Sequence, residues 1–346
     1  MRKLLISKNM IIYFYIYLIF ISVLLLVFND SKIGDFFVTS HDEYRYYVLS
    51  NYVMADSKSL GWLYIFQNYY DYSQSLHFGY YMYLGFVRNF INDNLGLWYV
   101  FQTTIFFLAN LYFSKFICLE FKLPEKDSYY LSILMIFYLP LFYLTFSLMR
   151  DVSIFFLISI SLYLYKKEKF YLMGFFMLVL ITYRMNACLG IVVYVIFDLI
   201  LSRKIQFKSL VYAFLFVFFV SLYILNNYFD KFMERIYSLD YLSVLFESFR
   251  FMFSPIPWQV DAYIPFYLYI WYYISFFACI FGVFLYMLFF SYNKNNILFS
   301  KSLVAMILFN VFAYSTEVGV GFRQTAVLSP FLFVPVFISV IKRVKI

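Results

Sequence analysis

The chain has 346 residues, of which 64% are hydrophobic, 26% aromatic and 13% charged, with a formal net charge of +8. A water-soluble domain carries about a quarter charged residues, so this composition excludes one and points to a polytopic membrane protein. Its apolar runs are long and do not alternate, so they read as helices, which satisfy their own backbone groups where lipid offers no partner.

The first run, Met10–Phe28, follows a short basic start containing Arg2, Lys3 and Lys8. No small-residue cleavage signature follows Phe28, so the run reads as an uncleaved first helix. Residues 29–94 then form a long connecting segment rich in Tyr, Asn, Asp and Ser, and "SHDEYRYY" lies near its start. Within it, 76–91 is apolar but holds His77 and Arg88. A crossing there would invert every later loop down to Lys208, so the stretch reads as an interfacial or re-entrant helix. Further apolar runs fall near 95–117, 129–149, 152–165, 170–183, 187–201, 209–226, 264–290, 302–316 and 324–341. The expected fold is therefore all-α, with about ten transmembrane helices, several of them short. A second large segment, 227–265, ends in "SPIPWQVDAYIP". Both large segments are expected to hold short amphipathic helices, and neither is long enough to be a separate enzyme domain. Without an internal repeat or heptad seam, residues 1–346 read as a single integral membrane domain.

The connecting segments alternate in charge. Segments 1–8, 115–127, 166–169, 202–208, 293–301 and 342–345 hold 17 of the 27 Lys and Arg. The opposite set holds 14 of the 19 acids. The positive-inside rule then puts both termini in the cytoplasm and segments 29–94 and 227–265 in the periplasm. The net charge is this asymmetry, so no nucleic-acid partner is implied, and the basic rim suits anionic membrane lipids. Cys118, Cys188 and Cys279 form no CxxC pair and read as free thiols that pack as small apolar residues.

Charge near hydrocarbon is expensive, so it marks candidate sites by default. His41, Asp42, Glu43 and Arg45 follow the first helix. "LMRDVS" sets Arg150 and Asp151 at a tight outer turn. "LITYRMNACLG" sets Arg184 between two short runs, below the outer surface. An unpaired arginine there costs several kcal/mol, so Asp151, Glu317 or a ligand should partner it. "STEVGVGFRQT" brings Glu317 and Arg323 to the last outer turn, and Trp258 and Asp261 lie on the second large segment. All of these end at one membrane face. Simpler explanations stand beside each: a solvated pair at Asp42 and Glu43, a helix-end ion pair at Arg150–Asp151, snorkelling of Arg323, and belt tyrosines in "DEYRYY". His41 and His77 lack a third ligand at recognisable spacing, so no metal is expected.

Arginine forks match phosphate oxygens and stay charged in a poor dielectric. A carboxylate with a raised pKa can take the proton of an attacking hydroxyl. Together they suit transfer of a group from a lipid phosphate or pyrophosphate to an alcohol. Asp42 and Glu43 point about 100° apart on a helix, so one would face the substrate and the other support it. No Walker A loop, GxGxxG, HExxH or GxSxG is present, which leaves cytoplasmic nucleotide chemistry without a foothold.

With those residues in view, the layout resembles the membrane glycosyltransferases of the GT-C type and the O-antigen and capsule repeat-unit polymerases of the Wzy and EpsG types. "HDEYRYY" is similar to the acidic pair of the first outer loop, and "HFGYYMYLGFVRNFINDNLGLWYVFQ" to the stretch that leads into a second span. "SLMRDVSIFFLISISLYLYKKEKF" resembles the polymerases' Arg-Asp element, and "TYRMNACLGI" their next helix pair, with Tyr183–Arg184 where histidine is common. Arg323 precedes the final span, as a late arginine does in that family. The resemblance implies a bacterial inner-membrane enzyme with its site facing the periplasm. It would transfer one undecaprenyl-pyrophosphate-linked glycan onto the non-reducing end of another. Arg150, Arg184 and Arg323 would bind pyrophosphate and the lipid carrier. Asp42 or Glu43 would be the base or an acceptor-sugar anchor, with Asp151 and Glu317 orienting the arginines. His41, Arg45, Trp258 and Asp261 would contact substrate. No metal or soluble cofactor is implied, and binding of a chain-length regulator protein is left open. The alternatives are a GT-C transferase using a polyprenyl-phosphate sugar and, further off, a lipid-glycan transporter.

Overall fold

The computed structural model describes residues 8–35, 41–68, 78–202 and 300–315, with 327, 328, 330, 331 and 334 beyond them. Runs 209–226 and 264–290, segment 227–265, most of 324–341, and His77, Trp258, Asp261, Glu317 and Arg323 lie outside the described residues. So do the side chains of His41 and Asp42.

Among the described residues every regular element is helical. In chain order they are α1 (Lys8–Phe28), a 3-10 turn (Ile33–Asp35), α2 (His41–Ser59), α3 (Trp62–Gln67), α4 (Phe78–Ile91) and α5 (Leu95–Glu120). There follow α6 (Asp127–Ile136), α7 (Leu139–Thr145), α8 (Asp151–Lys166), α9 (Phe170–Tyr183), α10 (Met185–Ser202) and α11 (Lys301–Ser315). Two of these, α1 over Asn9–Phe28 and α5, are long and apolar enough to cross a membrane. Leu18, Ile19, Val23, Leu26 and Val27 of α1 are exposed, whereas more than half of the most apolar stretch of α5 is buried.

The apolar run 129–149 is not one helix. Pro140 has no N–H to give to the Ile136 carbonyl, and Ile136 is the last residue of α6. The helix stops there and restarts as α7.

The chain divides into two compact units, the first running to Ala187 and the second beginning at Cys188. In the first, α5 is the hub and packs most extensively on α8. The Phe113–Phe155 ring contact and the 2.7 Å ion pair between Lys166 Nζ and Glu120 Oε2 show the two running in the same direction. Against α1, α5 is antiparallel: Tyr13 donates to the Phe107 carbonyl, while Phe28 meets Tyr99. Helix α9 runs back along α8, with Phe176 on Phe156 and Phe170 on Tyr165.

The junction of α4 and α5 is tightly made. Asn92 and Asp93 take positive φ, at 51° and 58°, a conformation Asn and Asp tolerate better than other side chains. The Asn94 side chain then caps α5 by accepting from the Leu97 N–H. The same stretch is tied to the end of α1 by Leu95 N–H to the Ser31 carbonyl and Ile33 N–H to the Asp93 carbonyl.

In the second unit, Gly190 of α10 lies directly against Asn310 of α11, which donates to the Met306 carbonyl of its own helix. A Cβ at Gly190 would overlap the Asn310 amide. Glycine there sets how closely α10 and α11 approach.

Candidate functional site

Two turns of the first unit lie well inside its depth. Phe146, just before Arg150, touches Tyr99, and Phe155, just after it, touches Phe113. At 1.5 Å per residue, Tyr99 and Phe113 lie about 6 and 27 Å along α5 from Leu95. The turn from Ser147 to Arg150 falls between those levels, below the Leu95 end. Arg184 alone separates α9 from α10, in extended conformation. The Arg150 Nη1 donates to the Tyr183 carbonyl at 3.0 Å, so the two turns share one level.

Three charged side chains meet there. Asp151 is fully buried, Arg184 is 4% exposed and Arg150 is 9% exposed. Asp151 does not pair with its sequence neighbour. Its Oδ1 lies 3.7 Å from Arg184 Nη1, an ion pair across two helices. Arg150 keeps only the Tyr183 carbonyl, and its Nε is buried without a hydrogen-bond partner. One guanidinium is thus paired with a carboxylate and the other is held in the interior by a single neutral acceptor.

Tyrosines roof this cluster. The Tyr80 hydroxyl donates to the Leu148 carbonyl at 2.7 Å, two residues before Arg150. Its ring meets Tyr183 and Tyr46 edge-on, and Tyr83 also packs on Tyr183. Burial first, then the neighbouring phenols and the Asp151 carboxylate, raise the Tyr80 phenol above its ordinary value, so it stays protonated and donates. Burial raises Tyr83 likewise, and its hydroxyl has no partner.

Helix α2 adds the acidic element. Glu43 is buried at its first turn. Glu43, Tyr46 and Ser50 share one buried face, while Arg45, two residues from Glu43, is exposed on the other side. Arg45 therefore stands apart from the buried cluster.

Arg88, the charge that marked 76–91 as unusual, is fully buried between α2 and α4. Its Nε and Nη2 reach both Asp93 oxygens, at 2.6 and 3.0 Å. Its Nη1 donates to the Tyr47 carbonyl and Ser50 Oγ, and its guanidinium lies 4.3 Å from the Tyr47 ring centre. Gly85 lets α2 come this close, since a Cβ there would stand 2.6 Å from Val53 Cγ1.

Of the expected site residues, the structure brings together Arg150, Asp151 and Arg184, and buries Glu43 on an adjoining helix. Sequence reasoning read Tyr46 as a belt tyrosine, named Tyr183 only beside Arg184, and missed Tyr80 and Tyr83. The signal for those two was "FGYYMY", an aromatic cluster beside glycine at a helix start. Among the described residues no group of His, Cys, Asp and Glu could hold a metal ion.

No protein-family model, no curated protein and no solved structure matches this chain.

Proposed function

We propose that the chain is a multi-pass inner-membrane glycosyltransferase of the repeat-unit polymerase kind. It takes an undecaprenyl-pyrophosphate-linked glycan as donor and a second lipid-linked glycan as acceptor, at the periplasmic face. The observation that carries this reading is Arg150. A buried guanidinium with no carboxylate of its own and an unused N–H is a seat for an anion with acceptor oxygens. Arg184, balanced by Asp151, adds a second fork at the same level.

In this mechanism the arginines hold the pyrophosphate and stabilise the charge that develops on it as the glycosyl bond breaks. The acceptor hydroxyl attacks the anomeric carbon and gives its proton to a carboxylate, for which Glu43 is the described candidate. Asp151 orients Arg184. The lipid pyrophosphate leaves with the electrons of the broken bond.

The test is deletion in the native host, with surface glycans resolved on a gel. Loss of the ladder with single repeat units remaining supports a polymerase. A single unit of altered mass would instead identify a GT-C transferase using a polyprenyl-phosphate sugar. Unchanged glycans of every length would remove the assignment.

A further inference from the structure

We propose that α3 and the outer face of α4 are seated in lipid, in the leaflet that holds the Leu95 end of α5. The partner is bilayer lipid. It meets Leu63, Tyr64 and Phe66 of α3 and Phe86 and Phe90 of α4.

Neither helix offers water a charge. The sequence of α3 is WLYIFQ, and Arg88, the one charged residue of α4, is fully buried. Helix α2 differs, since its Arg45 and Lys58 are exposed. Within α3, Ile65 is buried with Val53 and Met82, and Trp62 packs partly buried on that cluster. Leu63, Tyr64 and Phe66 are exposed, Leu63 by 72%. On α4, Phe86 and Phe90 share one face and are exposed, Phe90 by 72%. Soluble surfaces rarely gather large apolar side chains in this way.

Ring contacts join both helices to α5. Trp62 meets Phe86 edge-on, and Phe90 meets Phe101. The apolar surface therefore continues from α3 over α4 to a helix long and apolar enough to cross a membrane.

Helix α5 also gives the depth. Its 26 residues span about 39 Å, which exceeds a hydrocarbon core of about 30 Å by roughly 4–5 Å at each end. Phe101 stands about 9 Å along the helix from Leu95, and so about 4–5 Å inside the hydrocarbon edge. The exposed Leu26 and Val27 of α1 lie near this level too, since Phe28 meets Tyr99. An interfacial helix sinks its apolar face by about 5–10 Å, so Phe90 is at the depth that seating in lipid requires. Trp62 and Tyr64 carry the amphipathic rings that favour such a level.

Fluorescence in proteoliposomes of phosphatidylcholine and phosphatidylglycerol tests this. The background carries Trp62→Phe, Trp98→Phe, Trp258→Phe and Trp271→Phe, and Leu63→Trp or Phe90→Trp supplies the one indole. Phosphatidylcholine brominated near the headgroup end of its acyl chains should quench about half or more of either emission, because interfacial insertion sets the indole beside the bromine. Bromine near the chain ends should quench less, and iodide in the buffer should have little effect. Iodide quenching without bromolipid quenching would put the face in water. Shielding from both would put protein over it, a second copy of the chain included. Either result overturns the proposal.

If the fourfold tryptophan replacement does not fold, a nitroxide on Leu63→Cys decides, in a background of Cys118→Ala, Cys188→Ala and Cys279→Ala. Its collisions with oxygen, which partitions into lipid, should outnumber those with a water-soluble nickel chelate. The reverse order overturns the lipid seat.

Discussion

Replacing Arg150 by methionine separates a structural arginine from a functional one by the sign of its effect. The guanidinium is 9% exposed and has one hydrogen bond, to the Tyr183 carbonyl. Burying an ion costs several kcal/mol even after relaxation, and Arg150 lacks the carboxylate that would offset this. The hydrogen bond lost on substitution contributes about 1.5–3 kcal/mol. Methionine fills much of the same volume without charge. The apo protein should therefore become more stable by about 1–3 kcal/mol, as when buried ions give way to apolar residues elsewhere. The assay is equilibrium unfolding in maltoside micelles in phosphate-free buffer, with wild type and Arg150→Met side by side. Adding inorganic pyrophosphate should stabilise the wild type in proportion to the logarithm of its concentration and leave the variant unmoved. Surface glycan ladders should be lost in the same variant. A less stable Arg150→Met, or one that makes normal ladders, would show that the arginine is a tie between α8 and α9 and would remove the anion seat.

Three further outcomes follow from the geometry. At 3.7 Å, Asp151 and Arg184 attract by about 4–5 kcal/mol at an effective dielectric of 20, before desolvation is subtracted. A double-mutant cycle of Asp151→Asn and Arg184→Gln, read by the same unfolding assay, should give a coupling of about 2 kcal/mol, and additivity within about 0.5 would deny the pair. Gly85→Leu would drive a side chain into Val53 and the Ser50 carbonyl, lowering stability by about 2–3 kcal/mol, and an unchanged unfolding midpoint would disprove the close α2–α4 contact. Tyr44 and Tyr171 are exposed at opposite ends of the first unit's helix array. In intact cells an impermeant maleimide should label Tyr44→Cys and reach Tyr171→Cys only after permeabilisation, and the reverse pattern would invert the orientation.

What the sequence revealed and what it hid both have physical causes. Charge in an apolar run is conspicuous, so Arg88, Arg150 and Arg184 all stood out. Asp151 was among the partners expected for Arg184, because few anions lay within reach of a short helix pair. The pairing of Arg88 was hidden, since it depends on Gly85 letting Ser50 and Tyr47 approach from a helix some forty residues away. The tyrosine roof was hidden for a different reason. The chain has 38 tyrosines, so one more in a site carries no compositional contrast. Arg45 lies on the opposite face of α2 from Glu43, because two residues on a helix turn a side chain about 200°. The break before Pro140 was legible by rule but masked by the apolar run that continues through it.

The short helices α8 and α9 and the packing of α4 on them have one physical logic if the chain spans a membrane. Helices α8 and α9, of 16 and 14 residues, are about 24 and 21 Å long, against a hydrocarbon core of about 30 Å. A chain that needed only an anchor would extend them and expose their turn charges to water. Here Tyr80 of α4 bonds to the Leu148 carbonyl and packs on Tyr183, so α4 covers the turns at the ends of α8 and α9. Helices in lipid gain little from the hydrophobic effect and associate through close packing and polar contacts. The contacts on α4 follow that logic, with Gly79 against Thr182, Gly85 against Val53, and Tyr80 bonded to Leu148. A covering helix of this kind keeps two arginines away from bulk water, where a phosphate would otherwise be hydrated and weakly held. On the proposed reading, the anion they would hold there is the pyrophosphate of a lipid-linked glycan. On that reading, the depth that makes Arg150 expensive to bury is the same depth that keeps water from competing for the anion it would hold.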